Sequence, residues 1–68
     1  MKNDCYIIYT EILDIPIERW YYGSETNADK ANRIALERGN SDNAYTCVCT
    51  LEAAEGLHIL NMPDEFKK

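Results

Sequence analysis

Residues 26–39 read TNADKANRIALERG, and this stretch decides the fold because it alone combines helical periodicity with a signal at each end. Thr26 is placed to cap the amide of Asp29, Asp29 reaches back in a weak capping box with its charge at the helix N-terminus, and Arg38 suits the opposite end. Gly39 supplies the left-handed residue on which helices commonly stop. Ala28, Ala31, Ile34 and Ala35 recur at spacings of three and four, which gathers them into one apolar stripe, widened by Leu36. Asn32, Arg33 and Glu37 are left towards water. Three of the stripe positions are alanine, so the helix adds little volume and has to lie close to a sheet whose larger side chains fill the space.

Outward from this helix the chain reads as strand on both sides. Residues 4–12, DCYIIYTEI, are dense in β-branched and aromatic side chains, and neither face is polar near the start, so both faces suit cover. Leu13 to Pro16 makes a turn, and residues 17–22, IERWYY, follow as a second strand whose proline and charged Glu18 and Arg19 suit a sheet edge. After the loop NSDN, residues 44–52, AYTCVCTLE, alternate cleanly. Tyr45, Cys47, Cys49 and Leu51 are expected to face the helix, with the threonines and Val48 opposite. Ala54, Glu55 and Gly56 then suit a three-residue hairpin loop, and residues 57–62 a short fourth strand stopped by Pro63. The expected architecture is α+β, in the order β-β-α-β-β. A single antiparallel sheet of strand order 2-1-3-4 carries the helix on one face. Residues 1–63 form the domain and 64–68 a flexible tail.

Sixty-eight residues allow one domain with a marginal core, and no run approaches the ~20 apolar residues of a membrane span. The N-terminal MKNDCYIIYTE is too polar for a signal peptide, which points to the cytoplasm and away from membranes. The net charge is −5, and residues 3–63 carry ten acidic and four basic side chains. That balance argues against direct nucleic-acid binding and suits a partner protein with a basic surface. Three cysteines cannot close a disulfide framework in a monomer. Cys47 and Cys49, two apart on one strand face, lie roughly 7 Å from each other, so the reduced state is expected.

The residues for chemistry are present but do not converge. Cys5, Cys47, Cys49 and His58 have the makings of a zinc tetrahedron, yet the spacing is C-x-C with no C-x-x-C knuckle, and the favoured glycine-bulged hairpin turns His58 to the opposite side, where a two-residue loop would reverse that result. Carboxylates are scattered through turns, helix and strand ends, without the paired arrangement that general acid-base work needs. Gly23, Gly39 and Gly56 stand apart at element boundaries, so no phosphate loop exists. Asp29, Lys30, Arg33 and Glu37 pair at helical spacings as a solvated face. The expectation is a protein that is not an enzyme and holds neither metal nor cofactor.

Five tyrosines and one tryptophan remain, with Trp20, Tyr21 and Tyr22 consecutive. They either thicken a small core or form an interface on the sheet face that one helix leaves open. The strand CYIIYTE, a second strand, the helix NADKANRIALERG and a closing pair ending GLHIL together resemble small phage-encoded inhibitors, notably β-β-α-β-β anti-CRISPR proteins. That resemblance covers most of the chain as a pattern. It implies an anti-defence protein acting in the host cytoplasm by binding and inhibiting a host protein without catalysis. Where such inhibitors occupy nucleic-acid channels they use basic residues, whereas this chain is acidic, which leaves charge mimicry or aromatic-anchored blocking. Glu18, Trp20, Tyr21 and Tyr22 are the expected contacts, the rings anchoring and the carboxylate steering. The alternative is a small homo-oligomer, such as a homodimer, that sequesters a small-molecule ligand between subunits with the same rings.

Overall fold

The computed structural model describes residues 5–66, so Asp4, where the first strand was expected to begin, lies outside the described residues. Tyr6–Ile12 forms β1, and it takes the centre of the sheet because both of its faces are apolar: Ile7, Ile8 and Tyr9 are 0%, 1% and 8% exposed. Glu18–Glu25 (β2) and Ala44–Thr50 (β3) pair with it antiparallel, in the order β2-β1-β3. Tyr9 lies opposite Tyr21 and Cys47, and Thr10 opposite Trp20 and Thr46. Between Ile8 and Tyr9 the register with β2 shifts by one residue, leaving Tyr22 as the extra residue of a bulge.

Ala28–Arg38 is the helix α1. Its cap is Asn27 rather than Thr26: the Asn27 side chain accepts from the Lys30 N–H at 3.1 Å, and the Asn27 carbonyl takes the first helical bond from Ala31 at 3.0 Å. At the far end Gly39, with φ +77°, turns the chain out of the helix and donates its N–H to Ala35. Ala31 is fully buried. Leu36 lies five residues on, about 140° around the helix axis, and is 82% exposed instead of widening the stripe. The helix covers the face of Thr46 and Val48, not the expected face of Cys47 and Cys49, as the 2.9 Å bond from the Thr46 hydroxyl to the Gly39 carbonyl fixes. The cysteine face is the more apolar one, and the end of the chain uses it.

The expected fourth strand is absent, and with it the order 2-1-3-4. Thr50 caps a new helix, accepting from the Ala53 N–H at 3.1 Å, so Leu51–Ala54 (α2) forms where strand and hairpin were expected. The cause is a cap followed by the good helix formers Leu-Glu-Ala-Ala. Positive φ at His58 (55°) and Asn61 (68°) then interrupts any extended run through residues 57–62. This segment does not pair with β3. It crosses the free face of the sheet and docks at the other edge, where the Leu60 N–H donates to Arg19 O at 2.7 Å and the Tyr21 N–H to Leu60 O at 2.9 Å. Beneath it sits the main core of Ile7, Tyr9, Ala54 and Ile59, with Cys47, Cys49 and Leu57 packed against it. Asp64–Phe66 closes as a 3₁₀ turn that brings the Phe66 ring to 6.3 Å from Tyr21.

Candidate functional site

The side chains of β2 alternate between the two sheet faces. Glu18, Trp20 and Tyr22 point to the helix side, while Arg19 and Tyr21 point to the side of the C-terminal segment. Three of the four expected contact residues therefore share a surface, and Tyr21 does not: it is half-buried in the core beside Phe66.

Trp20 is 41% exposed and Tyr22 48% exposed, because α1 leans towards β3 and leaves this strip of the sheet open. Each ring is held by a charged group. Glu18 accepts the Trp20 indole N–H at 3.1 Å, which satisfies the only donor of that side chain and leaves its apolar faces for contact. The Arg38 guanidinium stacks 4.0 Å from the centre of the Tyr22 ring and also donates to the Thr10 hydroxyl at 3.5 Å. The helix C-terminus thus fixes the orientation of Tyr22.

Further apolar groups flank Trp20 that the sequence did not single out. Leu60, its partner in the parallel bridge, is 41% exposed, and in the loop before β2 Ile15 and Ile17 stand out into solvent. The Ile15–Pro16 peptide in that loop is cis. The available signal was the run LDIPI, in which Leu13, Ile15 and Ile17 alternate with Asp14 and Pro16. Beside them a depression of ≈ 290 Å³ is lined by Ile17, Glu18, Arg19, Leu57, His58 and Leu60. Arg19 is already engaged, with its Nε at 3.3 Å from Glu11 and its Nη1 donating to Leu57 O at 3.4 Å. Among the described residues the Glu18 carboxylate at this edge has no opposite charge paired with it.

The cysteines are free and half-buried. Burial pushes the Cys5, Cys47 and Cys49 thiols up, so they are protonated at neutral pH and are poor nucleophiles. Tyr9, in contact with the same group, is pushed up to about 12, first by burial and then by the neighbouring Cys47 and Cys49. Among the described residues no three histidine, cysteine, aspartate or glutamate side chains converge as metal ligands, and His58 is an exposed turn residue rather than the strand residue expected. No helix among them is long and apolar enough to cross a membrane. No family model, curated protein or solved structure matches the chain.

Proposed function

We propose that this chain is a noncatalytic binding protein that inhibits a host protein by docking the open edge of its sheet onto it, with Trp20 as the anchor. The observation that carries this reading is Trp20 itself. Its ring is 41% exposed beside the equally exposed Leu60, while its single polar atom is satisfied within the chain by Glu18. A ring so arranged brings apolar area to a partner without a donor left to be desolvated, which is the physics of an interface anchor. Tyr22, held by Arg38, extends the surface along the strand. Glu18 and the net charge of −5 favour a basic partner and faster association at low salt. In line with the resemblance to small phage-encoded inhibitors, the target belongs among host defence proteins, and the chain acts in the host cytoplasm.

The test is a titration of the wild-type chain and Trp20→Ala against a basic host protein recovered with it, together with chemical unfolding of both chains. The expected result is a loss of about 2 kcal/mol or more in binding, roughly thirtyfold in affinity, at nearly unchanged stability. Equal affinity in the variant removes Trp20 from the interface, and an unfolded variant returns it to the core.

A further inference from the structure

The outer edge of β3 is the opposite of the edge that carries Trp20. Bonds from the Leu13 N–H to Asn43 O (2.7 Å) and from the Leu51 N–H to Cys5 O (3.1 Å) bracket β3 and show that its odd-numbered residues turn their backbone groups to β1. The even-numbered residues turn theirs outward. Of these groups, Ala44 O accepts from the Ser41 N–H, Thr46 N–H donates to the Asn40 side chain, and Thr50 C=O opens α2 as its capping residue. Five remain without a partner among the described residues: Ala44 N–H, Thr46 C=O, Val48 N–H, Val48 C=O and Thr50 N–H.

Exposed edges are normally guarded by charge, proline, a bulge or a covering segment. The β2 edge has such guards in Glu18, Arg19, the Tyr22 bulge and the Leu60 bridge. Residues 44–51, AYTCVCTL, contain no charged residue and no proline. The four of these from Thr46 C=O to Thr50 N–H alternate partial negative and positive charge in an order that is its own complement when the strand is turned end for end. Pairing Val48 with Val48 of a second copy satisfies two of them on each chain, and Thr46 C=O with Thr50 N–H satisfies the other two. These four groups of each chain are then bonded, and the Ala44 N–H is left to water. Above this edge a depression of ≈ 420 Å³ runs between α1 and β3, lined by Ala35, Leu36, Thr46 and Val48 among others, with the exposed Leu36 on its rim.

We propose that β3 pairs antiparallel with β3 of a second copy about a two-fold axis at Val48, which joins two three-stranded sheets into one of six strands and brings the two Leu36 side chains into the new interface. This goes beyond the binding reading and does not depend on it, since both Trp20 edges remain at the outer ends of the joined sheet.

The experiment is light scattering of the full chain over a micromolar to millimolar series, with amide hydrogen exchange read residue by residue on the same samples. The expected result is a mass approaching twice 7.8 kDa, with protection of the Val48 and Thr50 amides rising in step with the dimer fraction. Leu36→Glu, at a site 82% exposed in the single chain, is expected to keep the far-ultraviolet dichroism unchanged and to raise the dissociation constant about tenfold or more through like-charge repulsion. A monomer at every concentration overturns the proposal, and so does a dimer whose Val48 and Thr50 amides exchange as freely as those of the monomer. Undiminished association of Leu36→Glu overturns the placement of the helices across the axis.

Discussion

The two faces of the sheet are covered in opposite ways. One carries an eleven-residue helix whose inward side is mostly alanine, with Ala31 its one fully buried residue. The other carries a segment with only one short helix and one bridge, yet that segment supplies Ala54 and Ile59 to the main core and packs Leu51, Leu57 and Met62 around them. Regularity and core-building are therefore separate properties here. The helix closes a face by approaching closely with small side chains, and the irregular segment closes its face with large ones.

The sharpest way to break this contrast is Ile59→Ala. Ile59 is 8% exposed at the centre of the irregular cover, and its truncation is expected to cost about 2–5 kcal/mol, a large part of the stability of so small a domain, measured by urea unfolding. A loss below about 1 kcal/mol would mean that the helix side holds the fold instead. Ala31→Leu asks the complementary question. On a closely approached face the added atoms have no room, and a loss of about 1–3 kcal/mol is expected in the same assay; a neutral or stabilising outcome would show that the helix stands off from the sheet.

The smallest effect concerns Tyr9, on the irregular side. Its pKa in the folded chain lies at about 12, above its ordinary value near 10. The neutral phenol therefore contributes stability that is fully present below pH 10 and is lost as pH rises through 12. Unfolding curves between these limits are expected to weaken more steeply in the wild type than in Tyr9→Phe. Equal slopes would assign the alkaline loss to the thiols alone.

Much of the helix side was legible. The helix, its glycine stop and three strands follow from periods of 3.6 and 2, and the β2-β1-β3 part of the order from Pro16 beside charged residues and a right-handed crossover through the helix. The side of the sheet that each face of β3 occupies did not follow, because alternation separates Cys47 and Cys49 from Thr46 and Val48 without saying which pair meets the helix. Residues 51–62 were misread for a physical reason. Thr50 serves a strand and a helix cap equally well, and the left-handed backbones of His58 and Asn61 occur at residues other than glycine, where sequence gives little warning. In the candidate site, alternation already implies that Tyr21 parts from Trp20 and Tyr22, since neighbours on a strand face opposite ways. The addition of Leu60 to that surface was not legible, because it depends on where an irregular segment comes to rest.

The crossing of residues 51–62 from one sheet edge to the other also sets an order in time. A ribosome delivers β1, β2, α1 and β3 first, and at that stage Ile7, Tyr9, Cys47 and Cys49 have no cover on their side. Only when Ile59 and Leu60 have left the exit tunnel does the last segment swing across and fasten to Arg19 and Tyr21. The nascent chain thus carries a sticky, half-finished sheet until residues 51–62 emerge. Protection from aggregation during synthesis then depends on how quickly that late segment arrives.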